Sequence, residues 1–166
     1  MKTISITLTT DDPDGTGPCV AASAVYLLKV SGPTLVPDMI INKAKLYGKD
    51  HFRITVKVSA LNDNSDGMLV IKLSDDPKWT VAGSIDNPAW TYSSNDPAYP
   101  GMHVFRSTRS LLKNGITEFG FDADFDPGGT VGILTISANL VYLGNDSCDF
   151  SPSDNNRTVK VEYYLY

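Results

Sequence analysis

The sequence predicts an all-β chain of two antiparallel sheets packed face to face, and three observations carry that prediction. Apolar and polar residues alternate with a period of two along most of the 166 residues, as strands with one face toward a core do. Clusters of Gly, Pro, Asn, Asp and Ser separate these runs at the spacing of a β-sandwich. Seventeen of the nineteen acidic residues are Asp, and only Glu118 and Glu162 are Glu. Glu suits helix interiors, whereas Asp competes for nearby backbone groups and collects in turns.

Taken in order, "TISITLT" aligns Ile4, Ile6 and Leu8. The stretch "VPDMIINKAKLYGKD" reads equally as strand or short helix. "HFRITVKVSA" turns Phe52, Ile54, Val56 and Val58 inward, and "GMLVIKLS" is apolar with no clean alternation. "KWTV" pairs Trp79 with Val81, and "WTY" pairs Trp90 with Tyr92. A short helical turn is expected at "STRSLLKNG", stopped by Gly115. "ITEFGFDADF" sets Phe119, Phe121, Ala123 and Phe125 against Glu118, Asp122, Asp124 and Asp126. "TVGILTISANLVYLG" is a long strand or a bulged pair, and "RTVKVEYYLY" closes the chain. The expectation is about nine or ten strands in a single domain spanning residues 1–166. Met1 directly precedes a strand, which reads as a native start or, in the favoured reading, as a start codon placed on a segment excised from a longer chain.

Bulk properties exclude several classes. Hydrophobic content of 42% supports a sizeable core, and a net charge of −5 lacks the basic footprint that nucleic acid requires. The longest apolar run, "VAASAVYLL", is too short for a membrane span and has no basic flank of a signal peptide. The two cysteines, Cys19 and Cys148, lie far apart in turn-rich contexts. A bridge between them would suit an oxidising compartment, and two unrelated thiols is the other reading.

Catalytic patterns are missing. His51 and His103 stand in different strands without HExxH spacing and read as solvated or edge-strand residues, and no GxSxG elbow, P-loop or GxGxxG is present. With nineteen acids, some pair meets a glycosidase spacing by chance alone. Lys57, Lys72 and Lys160 have outward parity, against a buried isopeptide bond. The expectation is no catalytic residue and no required cofactor.

Structural calcium is the one cofactor considered. Asp122, Asp124 and Asp126 open like an EF-hand loop, but Pro127 stands at the glycine position and Ile133 where the closing Glu belongs. On a strand the three carboxylates share one face about 6–7 Å apart and repel unless a cation intervenes. Asp11, Asp12 and Asp14 form a second oxygen-rich cluster. For both, a solvated acidic face or Asx turns are the competing reading.

The aromatic stretch "KWTVAGSIDNPAWTYSSNDPAYPG" admits a sugar platform built from Trp90, Tyr92, Asn95, Asp96 and Tyr99. Parity argues otherwise for Trp79 and for Trp90 with Tyr92, because large rings with apolar i±2 and polar i±1 neighbours belong to a core. Tyr99, between prolines, is the better exposed candidate.

From Phe52 to Leu165 the order of features resembles the immunoglobulin-like repeat domains of large bacterial cell-surface adhesins, including those of gliding bacteria and the conserved-repeat surface modules. The resembling residues are "FRITVKV", "KW", "WTY", "PGMHVF", "DPGGTVGILTISANL" and Asp154, Asn155 and Asn156 before "RTVKV". The resemblance implies an exported, extracellular or cell-surface module with a spacing or adhesive role and no catalytic residues to transfer. Its partners would be neighbouring domains of the same chain and a surface polysaccharide or glycan. Two rival readings stand beside it: a carbohydrate-binding module, and a structural subunit of a phage, virion or filament that donates its last strand to a neighbour.

Overall fold

The computed structural model describes residues 2–9, 23–30, 33–65, 67–143 and 152–166, and the chain divides into two compact units, Met1–Ser31 and Gly32–Tyr166. In the first, β1 (Lys2–Thr9) and β2 (Ser23–Val30) pair antiparallel. Their register sets Ile4, Ile6 and Leu8 opposite Leu28, Tyr26 and Ala24.

The second unit is the predicted sandwich. One sheet has the order β3 (Thr34–Ile41), β5 (Asp50–Leu61), β10 (Ile116–Phe125) and β7 (Trp79–Ala82). The other runs β4 (Lys45–Tyr47), β12 (Asn156–Tyr164), β11 (Gly132–Leu143), β6 (Met68–Ser74), β9 (Met102–Ser107) and β8 (Trp90–Ser93). All pairings are antiparallel except β12 with β4. The described strands number twelve rather than nine or ten, because short segments such as Lys45–Tyr47 carry too few residues to show a period.

Alternation decides the core. Phe52, Ile54, Val56 and Val58 of β5 face Leu134, Ile136 and Val161 of the other sheet within one buried cluster. β6 lacks clean alternation because it is covered on both faces: Leu69, Val70 and Ile71 are all fully buried. An aromatic belt fills one side of the core. Phe105 stacks on Tyr92, Phe119 and Phe121 with ring centroids 5.0, 4.8 and 4.9 Å apart. Trp90 lies 4.5 Å from Phe119, and Trp79 lies 4.3 Å from His103.

The helical turn expected near Leu111 is absent. Ser65 Oγ accepts the Leu111 N–H at 2.7 Å and Ser107 Oγ accepts the Arg109 N–H at 3.2 Å, so side chains take amides a helix would use. Asn114, at φ 59°, turns the chain into β10.

The edge at β3 is blunted. Asn42 N–H donates to Arg53 C=O, so the ladder with β5 uses the even-numbered positions and leaves those of Pro37 and Met39 pointing outward. Pro37 has no N–H to offer, and the Met39 N–H is taken by Asp38 Oδ1 at 2.9 Å. Arg157 of β12 reaches Asp38 at 3.1 Å and ties the edge to the opposite sheet.

Candidate functional site

The five candidate binding residues do not share a surface. Trp90 is 3% exposed, and its indole N–H donates to Thr117 Oγ1 at 2.9 Å. Tyr92 is half-buried against Phe105, and its hydroxyl lies 2.8 Å from His103 Nδ1. Burial raises the Tyr92 pKa, since the phenolate would lose its water. Both side chains face between the sheets, so neither belongs to a sugar platform. Trp79, 1% exposed, is core as parity predicts.

The loop after β8 then folds over the outer face of the six-stranded sheet. Asp96 is 7% exposed; its Oδ2 accepts from Arg106 Nε at 3.0 Å and Nη2 at 2.8 Å. Its Oδ1 accepts the Ala98 N–H at 3.0 Å. These bonds hold the Asp96 carboxyl below its usual range, the Arg106 side chain contributing most. Tyr99 lies over two cations, Lys72 Nζ at 4.7 Å and Arg106 at 5.7 Å from its ring centroid. Asn95 is exposed, its N–H donating to Ser93 Oγ at 3.3 Å. Asp96 is therefore an internal anchor for the loop, and Tyr99 is half-covered rather than free.

The carboxylate ladder is real, and each rung meets a basic side chain. The register of β10 with β5 sets Asp122 opposite Arg53 and Asp124 opposite His51. The pairs measure 3.2 Å for Asp122–Arg53, 2.5 Å for Asp124–His51 and 3.0 Å for Asp126–Lys49. Cross-strand pairs of this kind relieve the repulsion that suggested calcium. Asp126 also caps the Gly128 N–H at 2.9 Å, and that bond chiefly lowers its pKa. Among the described residues, no group of three or more His, Cys, Asp or Glu is arranged to hold a metal. Asp11, Asp12 and Asp14, and both Cys19 and Cys148, lie outside the described residues.

A second loop is pinned across the four-stranded sheet. Asp86 Oδ1 accepts the Gly120 N–H at 2.7 Å, Asp86 N–H donates to Gly120 C=O at 3.1 Å, and Arg53 binds Asp86 Oδ2. Asn87 Nδ2 donates to Glu118 C=O at 2.7 Å. A side chain at Gly120 would displace these partners: a Cβ would come within 2.8 Å of Asp86 Oδ2 and closer still to the Arg53 guanidinium.

His103 closes the core near Trp79. Its side chain is 9% exposed, with Nε2 3.4 Å from Asp75. Burial pushes its pKa down, and the Asp75 carboxylate opposes that shift. Sequence reasoning placed both histidines at solvated or edge positions. His51 is exposed, but the inward parity that His103 shares with Phe105 marks it as interior.

Comparison with known proteins comes down to fold. No protein-family model matches the chain, and no curated protein does. Among solved structures, the chain is similar to a cohesin module from a family 33 glycoside hydrolase of Clostridium perfringens ATCC13124, with a TM-score of 0.55 and 8% identity. The match covers 80% of this chain and 98% of that one. At that identity the likeness establishes a shared β-sandwich architecture.

Proposed function

We propose that this chain is a non-catalytic module of a secreted or cell-surface bacterial adhesin, spacing its neighbours or attaching through the loops that the sandwich presents. The observation that carries this reading is the pinning of the polar loops by their own side chains. Asp86, Asn87 and Asp96 each bind backbone or arginine of a neighbouring strand, so residues 84–101 are held in place without a ligand. A rigid scaffold presenting preorganised polar loops suits attachment. The likeness to a cohesin module from a glycoside hydrolase agrees with a unit of a larger protein.

The rivals have less support. A carbohydrate-binding module relying on Trp90 and Tyr92 loses those rings to the core. A filament subunit donating its last strand would need β12 free, and β12 lies between β4 and β11 of its own sheet. Alanine substitution of Asn95, Pro97 and Tyr99 tests the reading: surface attachment of the labelled protein should fall while folding is retained. Unchanged attachment by such loop variants would count against it.

A further inference from the structure

Among the described residues, His103 is the buried basic side chain on the inward face of the sheets, with Leu73 opposite it in the ladder of β9 and β6. Three further groups meet it. Tyr92 Oη of β8 lies 2.8 Å from Nδ1, the Trp79 ring of β7 lies 4.3 Å away, and Asp75, just after β6, stands 3.4 Å from Nε2. β7 ends one sheet and β8 ends the other, so His103 fastens the two edges along one margin of the sandwich. Each is a strand of four residues with a neighbour on one side alone. Such short edges open locally at less cost than long central ladders.

The contacts suit the neutral ring. An unprotonated Nδ1 can accept the Tyr92 hydroxyl proton. Protonation turns Nδ1 into a donor, and the hydroxyl must then turn its proton elsewhere. Nε2 already has no hydrogen-bond partner among the described residues, nor has Trp79 Nε1, and Asp75 is distant for a close bond. Burial pushes the His103 pKa down against the pull of Asp75. The other charges near these strands are engaged elsewhere. Lys72 and Arg106 lie against Tyr99, Arg106 also holds Asp96, Lys78 lies over Tyr163, and Asp76 accepts the Lys78 N–H.

We propose that His103 is an acid-operated latch: its protonation releases the margin formed by β7 and β8 and exposes Trp79 and Tyr92, while the remaining strands stay paired. The charged ring gains water by swinging out, and Tyr92 and Trp79 lose the partner that held them together. The loop after β8 stays fastened over the same range, because Arg106 holds the Asp96 carboxyl below its usual range. The latch is independent of the attachment reading and stands or falls on the isolated chain.

The experiment is hydrogen exchange of the isotope-labelled 166-residue chain, followed by NMR from about pH 7.5 to 4.5 and corrected for the intrinsic pH dependence of exchange, with the His51 and His103 ring signals recorded in parallel. Protection of the β7 and β8 amides and of the Trp79 indole N–H should fall about tenfold per pH unit below about 6.5, then level off at the midpoint of His103 itself. Amides of β5 and β11 should keep their protection. His51→Gln should behave as the parent, and His103→Gln should show no acid-dependent loss. The proposal is overturned by equal loss in β5 and β11, by no loss at β7 and β8, or by a loss that persists in H103Q. Should H103Q not fold, the parent decides alone: a loss that levels off at the His51 midpoint, or continues past that of His103, overturns the latch.

Discussion

Replacing Trp90 separates a core role from a ligand platform. The side chain is 3% exposed, packs with its ring centroid 4.5 Å from that of Phe119 and donates its indole N–H to Thr117. Trp90→Ala therefore removes a large buried ring and leaves a cavity, for an expected loss of about 3–5 kcal/mol. Trp90→Phe keeps most of the ring and loses the hydrogen bond, for about 1–2 kcal/mol. Thr117→Val removes the other partner of the same bond, and the double variant should show coupling of about 0.5–1.5 kcal/mol. Urea unfolding followed by circular dichroism gives all four stabilities, with the slope checked for constancy. If W90A unfolds within about 0.5 kcal/mol of the parent, the ring is not structural and the core assignment is wrong.

Three further outcomes are expected. His103 has a lowered pKa in the folded state, so the unfolded chain takes up the proton first as pH falls. Its contribution is complete above the ordinary histidine value of about 6.5 and is lost as pH drops below it; Tm measured against pH should decline there less steeply in His103→Gln. Gly120→Val should cost about 1–3 kcal/mol by thermal unfolding, because its side chain would displace Arg53 and Asp86. Asp124→Asn should change stability by about 1 kcal/mol or less, since the pair with His51 is solvent-exposed. Calcium should leave Tm unmoved in both parent and D124N; a calcium-dependent rise abolished by D124N would assign the ladder to metal.

The strands, the inward rings and the sandwich were legible in the sequence because alternation is a local signal that burial enforces. Trp79, Phe119, Phe121 and Phe125 follow it without exception. Partnerships across the sheet were not legible, since register depends on which strands pair. Asp122 and Asp124 looked like an unrelieved acidic ladder until β5 brought Arg53 and His51 opposite them. Asp96 looked like an exposed loop residue because its partner, Arg106, sits on the following strand across a turn. The course of the chain from Ser107 to Leu111 escaped for a related reason: Ser107 and Ser65 accept the backbone amides of Arg109 and Leu111, and no residue pattern announces it.

The central claim is that the chain works as an exported attachment or spacing module. An antibody raised against it, applied to intact cells that make it and followed by protease shaving and immunoblotting, tests that claim most directly. The account predicts labelling of intact cells and loss of the signal on shaving, with the epitope in a polypeptide longer than 166 residues. A signal confined to the cytosolic fraction and resistant to shaving would contradict it.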